Sequence, residues 1–154
     1  MDEIRIRPAG IEDLDCILRH RVSMFSEMGG HYAAGLDQLR AVSEAYLLTA
    51  LADGTYREWL AEAGERVVGG GGVAIVPWPG YPGATQPRRA WILNMYTEPE
   101  FRHRGIARRI MAVILDWCRA EGFPSVSLHA SAEGRRIYER LGFVATSEMR
   151  LQFE

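Results

Sequence analysis

Lysine is missing from this chain. Of its 154 residues 18 are basic, and every one of the 18 is arginine. Without a side-chain primary amine, no residue can form a Schiff base, supply the phosphate-binding lysine of a P-loop or complete a Ser-x-x-Lys pair. Cysteine is scarce as well: the 2 present, Cys16 and Cys118, lie far apart and belong to no Cys-x-x-Cys or Cys/His pair. That spacing excludes a disulfide framework and a zinc site, and both thiols are read as buried, reduced and structural. His20, His31, His103 and His129 show no metal-ligand spacing either, so no metal is expected. Long apolar runs are also lacking. The longest, Val67 to Val76, includes four glycines and falls far short of the roughly 20 residues that span a bilayer. Met1-Asp2-Glu3 is acidic and opens no apolar signal segment. A cytoplasmic protein with no membrane partner is expected. A net charge of −2 supplies no global field for nucleic acid, which is not expected as a partner.

What is present is an ordinary globular composition, 47% hydrophobic and 25% charged, which predicts one domain over residues 1–154. Glu3 to Arg7 alternates apolar and charged residues as a half-buried strand does. Ile11, Leu14, Leu18, Val22 and Phe25 recur at helical spacing, and a second helix fits Leu36 to Leu51. Thr55 to Ala63 and Arg66 to Val76 read as strands joined at Gly64-Glu65, and the proline-rich Trp78 to Tyr81 region as a loop, a lid or a homodimer contact. Ala90 to Thr97 is a further, central strand, followed by an amphipathic helix from Ile106 to about Glu121, a short strand Ser125 to His129, and a helix from Ser131 through Leu141. Phe143 to Ala145 and Glu148 to Phe153 complete the prediction as strands. The order is β-α-α-β-β-β-α-β-α-β-β, an α/β fold with a mixed, mostly antiparallel central sheet and helices on both faces.

The densest chemical signal is the strand-to-helix junction at Arg102-His103-Arg104-Gly105-Ile106-Ala107. Small residues at Gly105 and Ala107 permit close approach of a ligand, and the unpaired amides of a helix start carry partial positive charge. Arg102, Arg104, Arg108 and Arg109 crowd the same turn, although each cation there costs roughly 0.3–1 kcal/mol against the macrodipole. A bound polyanion reverses that sign; a solvated arginine-rich helix start and a nucleic-acid patch are the competing readings. Gly69-x-Gly71-x-x-Ala74 matches a dinucleotide fingerprint as a string, but no helix follows it, and it reads as a glycine-rich strand that permits close approach of a ligand or of neighbouring backbone.

Three segments in order give the chain a family likeness: Met95-Tyr96-Thr97-Glu98-Pro99, the Arg102-x-x-Gly105-x-Ala107 loop, and Ser131 to Phe143 with its Tyr138-x-x-x-Gly142-Phe143 ending. Together they resemble the GNAT superfamily of acyl-CoA-dependent N-acetyltransferases, covering about a third of the chain by motif and nearly all of it by element order. The resemblance implies a GNAT fold that binds acetyl-CoA as co-substrate and transfers its acetyl group to a primary amine of a small molecule, amino acid or peptide, by direct attack. It implies that the amides of Arg102, His103, Arg104, Gly105, Ile106, Ala107 and Arg108 cradle the pyrophosphate. Met95, Tyr96 and Thr97 would offer main-chain groups to the acetyl and pantetheine arm, Ser131 would assist cofactor binding, and Tyr138 would be the general acid.

Two positions depart from the family pattern. Ser131 and Gly134 stand where asparagine and alanine are common, and Asn94 stands on the central strand where many members carry a glutamate base. An amide cannot accept a proton at neutral pH, whereas presenting a lysine-like amine in neutral form costs roughly 4 kcal/mol at pH 7. His129, Glu27, Glu98 and a water held by Asn94 are the candidate bases. The acceptor pocket is expected along Phe25 to Tyr32, with Met24, Phe25, Met28 and Tyr32 as its lining. A non-catalytic CoA-binding module and an arginine-patch nucleic-acid binder remain as alternative functions.

Overall fold

The computed structural model describes residues 3–153; Met1, Asp2 and Glu154, the limits of the expected domain, lie outside them. Strand β1 (Ile4–Pro8) leads through a short turn to helix α1 (Leu14–Met28), and helix α2 (Leu36–Asp53) follows. Strands β2 (Tyr56–Ala63), β3 (Arg66–Pro77) and β4 (Arg88–Thr97) come next, then α3 (Ile106–Ala120), β5 (Val126–Leu128) and α4 (Arg135–Arg140). The five strands lie in sequence order in one mixed sheet, antiparallel from β1 to β4, with β4 and β5 parallel.

The sheet separates two apolar cores. On one face α3 presents Ile106, Ile110, Met111, Ile114 and Cys118, a helical stripe packed against Trp59, Ala61, Val73, Ala90 and Ile92. Full burial of side chains of this size stabilises by roughly 1.5–3 kcal/mol each. On the other face Ile17 and Leu18 of α1 and Leu47 and Ala50 of α2 meet Tyr56 and Leu60. Alternation along β2 therefore serves both layers, as period-two side-chain geometry requires.

The glycine run in β3 is what permits close contact on both faces. A Cβ at Gly69 would stand 2.9 Å from the Tyr96 carbonyl oxygen and one at Gly70 2.8 Å from Glu58 Oε1, while at Gly71 and Gly72 it would overlap Met95 Sδ and the Tyr56 hydroxyl. The expected close approach of neighbouring backbone thus holds at Gly69 and at Gly72, where the Arg57 carbonyl would stand 2.8 Å from a Cβ, whereas at Gly70 and Gly71 it is side chains that take the space. Opposite Gly71 the β3–β4 register slips between Gly70–Tyr96 and Gly72–Leu93, which leaves Asn94 and Met95 as a bulge in β4. Asn94 has φ of 60°, in the left-handed region that asparagine tolerates better than most side chains.

Some expectations are corrected. Cys118 is buried as expected, but Cys16 is only half-buried. The regular helix starts later than expected, at Arg135, although Ser131 makes the expected capping contacts: its Oγ accepts the Gly134 amide at 3.1 Å and its carbonyl the Arg135 amide at 3.0 Å, through a turn ahead of α4. Phe143 to Ala145 and Glu148 to Phe153 form no strands. The alternation is present, yet Val144, Met149, Leu151 and Phe153 stay 80%, 94%, 77% and 86% exposed. With no face to cover, strand periodicity has no burial to drive it. The Trp78–Tyr81 loop joins β3 to β4 at Pro77 and Arg88, the opposite end of β4 from the bulge and roughly 20 Å from it at strand rise.

Candidate functional site

β4 and β5 pair only through Ala90–Val126, Trp91–Ser127 and Ile92–Leu128. Beyond Ile92 the strands part, and the bulge at Asn94 and Met95 faces the opening. After β4 the chain turns through Pro99–Phe101 into the loop Arg102 to Gly105, where His103 and Gly105 have φ of 62° and 76°. Alternating positive φ values turn successive amides toward one side, the arrangement that makes an anion nest. No turn or loop hydrogen bond among the described residues engages the amides of His103, Arg104, Gly105, Ile106 or Ala107, and a Cβ at Gly105 would meet open space. The cradle has the donors and the clearance for a pyrophosphate at the start of a 15-residue helix.

The arginines of this turn do not gather on it. Arg102 donates to Glu27 Oε2 at 2.5 Å and to the Thr97 carbonyl at 2.9 Å. Arg104 donates to the Glu100 carbonyl at 2.9 Å and Arg109 to the Ile4 carbonyl at 2.6 Å. The physical reason is the one that made them anomalous in the sequence: the helix start repels cations, and carbonyls and a carboxylate attract them. Arg108 is exposed. Three of these guanidiniums are thus tied to carbonyls and to Glu27, and the cradle itself consists of backbone.

Tyr138 and His129 share one groove of about 740 Å³ with Trp91, Leu128 and Phe143. Tyr138 is half-buried against Phe143, and burial raises its hydroxyl above the ordinary phenol pKa, so it holds its proton at neutral pH. His129 is exposed on the groove wall, its ring edge-on to Trp91 and its Nε2 3.0 Å from Glu148 and from Arg150. Asn94 and Glu27 do not line that groove. Glu27, at the end of α1, accepts from the Tyr96 hydroxyl at 2.9 Å as well as from Arg102. Glu98 is held by Arg19 at 2.7 Å and Arg66 at 3.7 Å, with the buried His20 3.4 Å away. Along the expected acceptor segment, Phe25 and Tyr32 meet edge to face, while Met28 and Tyr32 are 48% and 36% exposed.

A second polar cluster lies on the α1/α2 face, and the sequence reading missed it. Arg21 donates through Nε to Ser43 Oγ at 2.9 Å and through Nη1 to Asn94 Oδ1 at 2.6 Å. Asn94 Nδ2 donates to the Tyr56 hydroxyl at 2.7 Å, and that hydroxyl donates to Glu58. The directed chain crosses α1, β4 and β2. Glu58 is buried with Oε1 unpartnered, and desolvation pushes its carboxyl from the ordinary 4.5 to about 8. Signals existed for both ends. Arg21 falls between Leu18 and Phe25 on the inward stripe of α1, and Glu58 alternates with Tyr56 and Leu60 on the inward face of β2. Among the described residues no group of three or more His, Cys, Asp or Glu side chains could hold a metal, and no helix is long and apolar enough to cross a membrane.

Comparison with known proteins agrees with this geometry. A GCN5-related N-acetyltransferase from Ralstonia eutropha JMP134 superposes with a TM-score of 0.91 over 98% of this chain and 99% of that one, at 34% identity. A predicted acetyltransferase from Clostridium acetobutylicum, solved with acetyl-CoA, shares the fold with a TM-score of 0.84 over 99% of this chain and 96% of that one, at 24% identity. In sequence the chain is similar to human N-acetyltransferase 8, 27% identical over 93 residues; the match covers 58% of this chain but only 39% of that protein's length. The sequence pattern of the acetyltransferase (GNAT) family matches residues 23–143. The parted strands, the β4 bulge and the amide cradle are thus arranged on a shared scaffold, and this chain belongs to the acetyltransferase (GNAT) family.

Proposed function

We propose that this chain, as one domain over residues 1–154, is an N-acetyltransferase that moves acetyl from acetyl-CoA to a primary amine by direct attack. The observation that carries this reading is the row of unengaged amides from His103 to Ala107 beside the point where β4 and β5 part. Those amides bind the pyrophosphate, and main-chain groups of Met95, Tyr96 and Thr97 meet the acyl and pantetheine portions. Ser131, whose hydroxyl shapes the turn before α4, keeps Tyr138 in register with them.

The amine nitrogen bonds to the thioester carbon, the carbon–sulfur bond breaks, and Tyr138 gives its proton to the departing thiolate. Burial keeps that hydroxyl protonated until it is needed. Positioning supplies most of the acceleration, and bulge amides oppose the charge developing on oxygen. Glu27 and Glu98 each accept from a guanidinium, and Asn94 is engaged through both amide atoms. His129, whose Nε2 is itself engaged by Glu148 and Arg150, shares the groove with Tyr138 and is assigned the amine proton on that placement.

Release of thiol from acetyl-CoA across an amine panel is the test. Tyr138→Phe is expected to lower turnover by roughly 10²–10⁴, and an unchanged rate removes Tyr138 from the role. No turnover with any amine, together with stabilisation by CoA in thermal melts, would replace the enzyme with a CoA-binding module.

A further inference from the structure

Arginines near the start of the chain are generally matched to acids. Arg7 donates to Asp13 Oδ2 at 2.8 Å and to Glu62 Oε1 at 2.6 Å, and Arg19 donates to Glu98 Oε1 at 2.7 Å. Arg21, two residues after Arg19 on α1 and part-buried, has no carboxylate partner among the described residues. Its two protein acceptors, Ser43 Oγ and Asn94 Oδ1, are neutral, and its guanidinium lies 5.0 Å from the Phe25 ring centroid. Burial works against this charge and lowers its pKa. A part-buried cation left without a counter-ion is costly unless something supplies one.

The carboxyl to which hydrogen bonds connect Arg21 is Glu58, and it does not supply one directly. Asn94 and Tyr56 stand between the two groups, and Glu58 retains its proton at neutral pH. Of the five N–H bonds of the Arg21 guanidinium only those to Ser43 and Asn94 are engaged among the described residues, and within the same residues Nη2 has no protein acceptor. The placement matters as much as the charge. Nη1 touches the side chain of the bulge residue itself, so an anion on Nη2 lies beside the point where β4 opens. A single cation flanked by satisfied neutral groups matches a monoanion.

We propose that Arg21 binds a carboxylate of the acceptor, so that the preferred acceptor is an amino acid or short amino carboxylate and not a plain amine. In an α-amino acid the nitrogen sits two bonds from the carboxylate carbon. Anchoring the carboxylate at Arg21 therefore holds the nitrogen close to the bulge, and the aromatic pair Phe25 and Tyr32 borders the space its side chain takes. Arg21 is a specificity-determining residue, and the inference rests on the acetyltransferase reading for its catalytic consequence.

Three acceptors of one skeleton test it in the full chain: phenylalanine, its carboxamide, and phenethylamine, which lacks the carboxyl altogether. The wild type is expected to favour phenylalanine in kcat/KM by roughly 10- to 100-fold, the worth of one charge-assisted contact. Arg21→Gln should shrink that ratio to within about twofold, and Arg21→Lys should restore part of it. Equal use of all three acceptors by the wild type, or a ratio untouched in Arg21→Gln, overturns the assignment and leaves the acetyltransferase reading standing. Ligand-observed NMR with the same three compounds in the presence of CoA supplies a readout without turnover. Binding of phenylalanine but not phenethylamine to the wild type, lost in Arg21→Gln, supports the carboxylate site even where no amine is acetylated. Indifferent binding of the two compounds overturns it. Should Arg21→Gln fail to fold, the wild-type comparison of acid against amide decides alone.

Discussion

The two sides of the β4 bulge are built from different material. Toward α3, the cradle is backbone: amides of residues 103–107, two left-handed residues, and arginines that turn away to carbonyls and to Glu27. Toward α1 and α2, the chain from Arg21 through Asn94 and Tyr56 to Glu58 is made of side chains, with Asn94, Tyr56 and Glu58 buried. Fixed amide dipoles do not titrate and are insensitive to most neighbouring substitutions. A buried side-chain chain couples packing, protonation and burial, so disturbing any member is felt in stability. The two sides should therefore fail in different ways, one in CoA affinity and the other in folding, pH response and, at Arg21, choice of acceptor.

Glu58→Gln gives the largest expected separation. The folded carboxyl titrates at about 8 against 4.5 for an ordinary carboxylate. Between those values the native state holds a proton that the unfolded state has lost, so stability falls as pH rises and levels off above the folded pKa. At pH 7 the accumulated cost is roughly 3 kcal/mol. Glutamine keeps an acceptor for the Tyr56 hydroxyl and cannot ionise. Urea unfolding of the two proteins from pH 5 to pH 9 should show the wild type losing stability relative to Glu58→Gln up to about pH 8, with parallel curves beyond. Parallel curves throughout would mean that Glu58 is ionised in the fold at neutral pH.

Gly72→Ala attacks the same side through space. The added methyl overlaps the Tyr56 hydroxyl and its ring carbon Cζ and crowds the Arg57 carbonyl, and overpacking of this kind costs roughly 1–3 kcal/mol, of which the hydroxyl accounts for a part. Removing that hydroxyl with Tyr56→Phe in the same chain should recover part of the loss, giving a non-additive double-mutant cycle. Strict additivity would show that β3 moves aside and that the glycine run is not what seats Tyr56.

How far each side was legible in the sequence follows from the same contrast. The cradle depends on a local string, Arg102 to Ala107, at a strand-to-helix junction, and the helical stripe of α3 was equally local. The Arg21–Asn94–Tyr56–Glu58 chain joins residues 73, 38 and 2 positions apart. Each looked ordinary alone, and only the sheet register brings them together. Asn94 was visible as a departure at an expected carboxylate position, but its left-handed conformation and its partners were not. The C-terminal strands failed for the converse reason. Val144, Met149, Leu151 and Phe153 alternate well enough, yet a strand needs a partner ladder and a face to bury, and periodicity supplies neither.

The smallest expected effect tests the backbone side by itself. Gly105 has φ of 76° with open space where a Cβ would stand, so Gly105→Ala meets no clash and suffers only the left-handed penalty, about 1–2 kcal/mol. Asparagine tolerates that region better than alanine. CoA affinity by calorimetry should therefore fall in the order glycine, Gly105→Asn, Gly105→Ala, with Gly105→Ala weaker by roughly 5- to 30-fold if the penalty is relieved by opening the nest. Its stability without CoA should then be nearly unchanged, the reverse of Gly72→Ala. Were the penalty instead retained in the fold, stability would drop by that amount while affinity held. The cradle would then be rigid enough to carry the strain, and its stiffness would come from the anchoring of Arg102 and Arg104 on the carbonyls of Thr97 and Glu100.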